Sequence, residues 1–462
     1  MFDKTVYIER RKLLKKQVKS GVILILGNVE SPMNYPANTY PFRQDSNFLY
    51  FFGQDKPGFV GVIDVEEDKD YLYGEDFTID DVIWMGPQPS VKELAAEVGV
   101  SYTGSPAQLA EKLKDALSKK RKAHFTPPYR AENAIQLEKL LDIPINSIKE
   151  NASVDLIKAI VEQRSLKSAA EVREIEKALE ISYEMYALVM GMTKPGIYER
   201  EIVGKIEGAV GSYGAYVSFP IILSIHGETL HNHHHANLLK QNNLLVTDSG
   251  AESPLHYASD ITRTFPVGGR FTPEQKDIYQ VVLNSQLAAI DSVKPGKPHK
   301  EVHLLTAAVI AQGLKDIGLM KGDIAAAIEE GAHALFFPHG LGHMLGLDVH
   351  DMEDLGENYV GYDETVERSK QFGLAYLRLA KALKPGYVVT SEPGIYFIPA
   401  LIDQWKAEKK FEQFIDYAKV EKFKDFGGIR IEDDVLVTDN GHRVLGKPIP
   451  KTVDEIEKIM AK

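Results

Sequence analysis

Cysteine is absent from the 462 residues, which excludes disulfides, thiolate nucleophiles and zinc-finger sites. A chain without disulfides fits a reducing compartment, and the cytoplasm is the expected location. Long apolar runs are also missing. The longest early one, Gly21 to Gly27 (GVILILG), is far too short to cross a bilayer and lacks a signal-peptide cleavage pattern, so it reads as a buried strand. Basic excess is lacking too. The balance of 54 Lys and Arg against 66 Asp and Glu leaves a net charge of -12, which argues against a broad nucleic-acid surface. No GxSxG, P-loop or GxGxxG word offers nucleophilic-serine, nucleotide or dinucleotide chemistry.

Hydrophobic content of 44% and charged content of 26% are those of an ordinary globular protein with room for two or three domains. Residues 1–160 read as a smaller α/β domain. It begins with a basic helix over Ile8 to Gln17 and a strand at Val22 to Leu26, with further strand-like runs at 59–63 (FVGVI) and 83–85 (IWM). An amphipathic helix follows around Ala107 to Leu117. Arg43 and Asp45, beside an aromatic run, read as structural or interface residues.

The second domain, 161–462, opens at Ser168, whose spacing to Glu171 is that of a capping box ahead of a helical apolar repeat. Thr272, Pro273 and Gln275 repeat that start, with the helix running to about Val293. The two helices stop at the same word, Lys194-Pro195-Gly196 and Lys294-Pro295-Gly296, and each is followed by more helix and then strand. Two related halves are the expectation, although Pro-Gly stops are common by chance.

Chemistry concentrates in this second domain. Asp248, Asp260, His343, Glu392 and Glu432 all lie in apolar or strand-like words: LLVTDSG, YASDITRTF, PHGLGHMLGLDVHD, TSEPGIYF and GGIRIEDDV. Burying four carboxylates uncompensated would be prohibitive, whereas two divalent cations balance their charge. With a period of two, Arg430 and Glu432 share one strand face, and Asp260 shares one with Thr262. A bland surface strand is the competing reading for either segment.

His339 and His343 are separated by two glycines in five residues, so a loop is expected rather than a helical metal pair. His350 adds a third imidazole, and three together outweigh the ordinary reading of a lone histidine as a core residue. Within His231-Asn232-His233-His234-His235, His231 is the functional candidate and the others read as exposed loop. Oxygen-rich ligation favours a hard cation such as manganese, with cobalt or zinc as alternatives. Two cations would acidify a water and polarise a carbonyl, equipment suited to peptide hydrolysis.

These words, in this order, resemble the creatinase, prolidase and aminopeptidase P group of metallopeptidases, and the resemblance spans nearly the whole chain, including FRQDSNFLYFFG and PGFVGVIDV. It implies an α+β fold, with a pita-bread catalytic domain of internal pseudo-twofold symmetry behind the α/β N-terminal domain. It further implies two divalent ions on Asp248, Asp260, His343, Glu392 and Glu432, with Glu392 also acting on the water. His231, His339 and His350 would meet the substrate, and Arg378 and Arg430 are the expected substrate-binding arginines. Cleavage of Xaa-Pro bonds in short proline-containing peptides and assembly as a homodimer or homotetramer follow by the same resemblance, without nucleic-acid or membrane partners.

Within the group, the 40-residue separation between Glu392 and Glu432, the WMG word at Trp84 and the position of Arg378 resemble prolidases, the Xaa-Pro dipeptidases. A free substrate carboxylate in a confined site needs a cation, which gives Arg378 a physical rationale. Aminopeptidase P is the alternative. A non-catalytic relative, or a metal-free amidinohydrolase, fits poorly with a full ligand set.

Overall fold

The computed structural model describes residues 1–461, and it divides into two compact units: 1–164 with 354–359, and 165–353 with 360–462. In the first unit, a five-stranded sheet runs in the order Tyr102–Gly104, Lys69–Tyr73, Val60–Asp64, Val22–Leu26, Ala123–His124. Its inner pairings are antiparallel and both outer ones parallel. Val22, Leu24, Val60 and Val62 pack against Leu109, Leu113 and Ala116 of the helix Pro106–Ser118, the amphipathic element expected there. The initial helix, Lys4–Val18, is basic for a structural reason. Arg11, with no exposed surface, donates to the carbonyls of Phe51 and Val98 and to Asp70, so its charge and donors are satisfied inside the unit. Asp45 caps the helix Ser46–Phe52 by accepting from the Phe48 N–H.

One expectation fails here. Ile83, Trp84 and Met85 belong to the helix Ile79–Met85, not to a strand. Thr78 and Asp81 form a reciprocal capping box that starts the helix, and local capping decides the state of so short an apolar run.

The second unit carries the anticipated repetition. Ser168 caps the helix Ala169–Met192 and Thr272 caps Pro273–Ser292, each through a full capping box. The Lys-Pro-Gly words close both helices with the same hydrogen bonds. Gly196 N–H donates to the Leu239 carbonyl at 2.9 Å and Gly296 N–H to that of Leu383 at 2.8 Å. Return bonds run from Leu239 N–H to Ile197 and from Leu383 N–H to Lys297. Both glycines sit at positive φ, 89° and 79°, where a Cβ would be strained.

A second helix follows each turn, Glu199–Ser212 and His299–Asp316, and then an antiparallel sheet. The first sheet is ordered Ile261–Pro266, Leu244–Ser249, Ile222–Ser224; the second, Val388–Ser391, Asp433–Thr438, Gly441–Val444. A ribbon of Gly394–Tyr396 with Gly428–Arg430 completes the second half. No helix among the described residues is long and apolar enough to cross a membrane.

Candidate metal centre

Asp248 lies in a strand buried at every residue, directly opposite Thr262 of the neighbouring strand. Asp260 precedes that neighbour and is buried as well. Glu432 sits in the break between the strands Gly428–Arg430 and Asp433–Thr438, where its N–H donates to the Thr262 carbonyl at 3.0 Å. Thr262 joins the two edges through its hydroxyl, which donates to Glu432 Oε2 at 2.7 Å and accepts from Arg430 Nε at 3.1 Å. Arg430 and Glu432 therefore both reach Thr262, but not along the single strand expected over 428–434, because the strand ends at Arg430 and a new one starts at Asp433.

His343 stands in a loop, consistent with its flanking glycines. Gly342 is obligatory there, since a Cβ would lie 2.1 Å from the Thr390 carbonyl oxygen. Hydrogen bonds between Thr390 and His343 fix the loop to the strand Val388–Ser391, whose end presents Glu392. His343 Nδ1 lies 3.0 Å from the Met344 carbonyl, which can only accept, so Nδ1 carries the proton and Nε2 presents its lone pair. That lone pair is 3.4 Å from Asp260 Oδ2 and 3.5 Å from Glu392 Oε1. Ligand atoms of Asp260, His343 and Glu432 all fall within 4.8 Å of one another.

Acceptors facing acceptors repel unless a cation lies between them. Asp248 Oδ1, Asp260 Oδ1 and Glu432 Oε1 are buried and have no hydrogen-bond partner, in a protein interior where such atoms are rare. Burial, reinforced by the charge of Asp248, raises the Asp260 carboxyl well above its ordinary value. Burial and then the charge of Asp260 do the same to Glu432, and burial raises Glu392. The donor set is oxygen-rich with one imidazole nitrogen. It fits divalent cations, and the one buried cation beside it, Arg430, pairs with Asp248 and leaves the other carboxylates uncompensated.

A cavity of about 450 Å³ reaches the candidate ligands at Asp248 and Glu392. His231, Asp248, His339, His350, Arg378, Glu392 and Arg430 line it, so every one of the expected substrate-facing residues reaches the same space. Their settings differ. Arg430 is buried, ion-paired with Asp248 Oδ2 at 2.6 Å and donating to the Tyr396 hydroxyl at 2.9 Å. That hydroxyl in turn serves His339 Nε2 at 2.9 Å, while His339 Nδ1 is bonded to the Gly340 carbonyl at 2.8 Å. Both ring nitrogens of His339 are thus committed, and burial together with Arg430 depresses its pKa to about 3. His231 is exposed at the cavity's edge, and His350 packs edge-on against His343 with ring centres 4.1 Å apart.

Four further residues complete the site without having stood out in sequence. Tyr396 relays between Arg430 and His339. Asp434, whose own pKa burial pushes up, accepts the Asp260 N–H at 3.1 Å. Thr390 secures the His343 loop, and Glu353 contacts both His350 and Arg378. For Asp434 a usable sign existed, because it lies two positions past Glu432. Tyr396 and Glu353 had none.

The model of the aminopeptidase P N-terminal domain matches residues 7–125, and that of metallopeptidase family M24 matches 173–439. The chain is 34% identical over 456 residues to a Xaa-Pro dipeptidase from Homo sapiens, covering 96% of this chain and 90% of the relative. It is 34% identical over 423 residues to a probable Xaa-Pro aminopeptidase from Botryotinia fuckeliana, covering 91% and 88%. Among solved structures, aminopeptidase PepP of Pseudomonas aeruginosa superposes with a TM-score of 0.81 at 28% identity, over 100% of this chain and 98% of that one. A zinc-substituted Escherichia coli aminopeptidase P in complex with product gives 0.82 at the same identity and coverage. The matched family model spans the whole metal-ligand cluster, and the chain belongs to metallopeptidase family M24.

Proposed function

We propose that this peptidase hydrolyses the bond preceding proline and that Xaa-Pro dipeptides are its substrates. The observation that carries this reading is the placement of Arg378, a third exposed, on the wall of the same cavity as Glu392 and as Asp248, whose Oδ1 is buried without a partner. A dipeptide sets its scissile carbonyl and its free carboxylate only a few ångströms apart, so a small cavity with both features suits it. Near-full-length similarity to the human Xaa-Pro dipeptidase supports the same choice.

In this reading Asp248, Asp260, His343, Glu392 and Glu432 hold two divalent cations, manganese before cobalt or zinc. The chemistry supplied there when cations are held is acidification of the attacking water and polarisation of the scissile carbonyl. Glu392, mostly buried but lining the cavity and raised in pKa by burial, takes the proton from the water and passes it to the leaving proline nitrogen. Arg430 holds Asp248 in place. His231 and His350 face the substrate, whereas His339, locked by Tyr396 and Gly340, shapes the wall. Residues 1–160 form the N-terminal domain and 161–462 the catalytic one. We place the protein in the cytoplasm as a homodimer or homotetramer.

A second reading, release of the first residue from longer Xaa-Pro peptides, is supported by the aminopeptidase P structures. Manganese-loaded protein assayed on Ala-Pro and on Ala-Pro-Gly separates the two. Preferential cleavage of Ala-Pro supports the dipeptidase, the reverse preference the aminopeptidase, and inertness towards both overturns the proposal.

A further inference from the structure

Glu353 follows His350 by three residues, across a turn in which buried Met352 adopts φ of 66°. A methionine takes that left-handed conformation only where its surroundings hold it, so the position of Glu353 is enforced by the fold. Its Oε2 lies 3.2 Å from His350 Nδ1 and accepts from the Arg378 guanidinium. Oε1 is buried without a hydrogen-bond partner. Glu353 does not itself line the cavity, but both of its partners do.

Two arginines reach the cavity, and they are not equivalent. Arg430 is enclosed and committed to Asp248, Thr262 and Tyr396. Arg378 is a third exposed, so it is the cation that a substrate carboxylate meets, on the reading that the cavity takes Xaa-Pro peptides. A carboxylate approaching Arg378 also approaches Glu353, whose negative charge opposes it at nearly the same distance. We infer that Glu353 is a specificity-determining residue: it neutralises Arg378 and so weakens the preference for a free C-terminal carboxylate over an uncharged or extended terminus. The carboxylate reaches the cavity only through its partners, and it sets how much charge Arg378 offers.

The test compares Ala-Pro with Ala-Pro-amide, substrates that differ only in the terminal charge, using the full manganese-loaded chain. Binding of L-proline against L-prolinamide, measured by calorimetry, gives a second readout that does not need turnover. Glu353→Gln keeps an acceptor for His350 but removes the charge. It is expected to raise the Ala-Pro to Ala-Pro-amide ratio of kcat/KM about fivefold or more, mainly through KM, and to favour proline over prolinamide by a similar factor. Glu353→Asp, which retains the charge, stays near the wild-type ratio. In an Arg378→Met background the Glu353→Gln change has no effect on either ratio. An unchanged or lowered ratio in Glu353→Gln, or an equal rise without Arg378, overturns the inference. Should the wild type cleave neither substrate, the peptidase reading fails, while the proline and prolinamide affinities still decide the role of Glu353.

Discussion

Acid should destabilise the catalytic unit through three histidines that no substrate reaches. His299, His303 and His333 are buried in the second half, on the helix His299–Asp316 and the turn Ala332–Leu335. His299 bonds the Leu379 carbonyl, whereas both ring nitrogens of His303 lack a hydrogen-bond partner. His303 stacks on Phe337 at 5.1 Å and is faced by His333, with His299 and His339 as its other titratable neighbours. Burial lowers His299 and His333 to about 4 and His303 well below its ordinary value.

Each folded-state pKa is therefore below the unfolded one near 6.5. The folded state binds fewer protons, and its stability is complete above that value and lost as pH falls. From pH 7 to pH 5, linkage gives a loss of about 1.8 kcal/mol per histidine, or about 5 kcal/mol for three, against a typical total of 5–15. The buried carboxyls of the metal cluster, whose pKa values are raised, act in the opposite sense in metal-free protein, so the total pH dependence mixes both. His303→Leu separates them, because leucine keeps the apolar contact with Phe337 and removes one titration. Urea unfolding at pH 7 and pH 5, in chelator, should show the variant gaining about 2 kcal/mol relative to wild type over that interval. A difference that is the same at both pH values refutes the reasoning.

In metal-free protein at pH 8, Asp260→Asn should raise the melting temperature by removing a charge crowded by Asp248, Asp434 and Glu392, while abolishing the upward shift that manganese gives the wild type. Scanning fluorimetry with and without metal checks both halves, and a less stable metal-free variant contradicts the charge-crowding account. Gly342→Ala should lower activity and manganese affinity more than tenfold, since its Cβ would stand 2.1 Å from the Thr390 carbonyl oxygen. Gly441→Ala, with open space around it, is the silent control in the same titration.

In the first unit, burial pushes Asp64 up, but hydrogen bonds from Arg121 and Lys112 outweigh it and bring the carboxyl to about 2. That depressed value means stability present above about pH 4 and lost towards pH 2. Arg121→Met should destabilise the unit by about 1–3 kcal/mol at pH 7, with the deficit shrinking below pH 4 in acid-unfolding curves.

What could be read from the sequence divides along the range of the interactions. Capping boxes at Ser168 and Thr272 act over three residues, and both helices begin where those words place them. The strand Val22–Leu26 is legible because a buried five-residue run has little else to become. Ile83 to Met85 misled for the converse reason. The apolar content is the more visible feature, but the helix is initiated by the polar pair Thr78 and Asp81 upstream.

At the site, residue types sufficed to single out Asp260, His343 and Glu432, whose ligand atoms the fold gathers within 4.8 Å of one another, since charge inside apolar words has few bland explanations. Their supports were hidden because each depends on register between distant segments. Thr390 meets His343 across 47 positions and Tyr396 meets Arg430 across 34, and neither threonine nor tyrosine is unusual in a strand. Glu353 was obscured differently, as one acid among several in a charged stretch.

The repeated halves explain why the cluster lies where it does. Each half joins its two helices through the same glycine turn, and each then lays down an antiparallel sheet that carries or adjoins carboxylates. Asp248 lies in the middle strand of the first sheet and Asp260 just before its neighbour, while Glu392 follows Val388–Ser391 and Glu432 precedes Asp433–Thr438 of the second. The edges are stitched by Thr262 to Glu432, and by paired bonds between Thr264 and Arg430 at 3.1 Å. Apolar side chains at that seam would be more stable than four buried acids, since ion clusters rarely outperform a packed core. Acids at the seam, with three oxygens left unpaired, are therefore explained by what they bind, and the stability forgone is recovered only when cations are held.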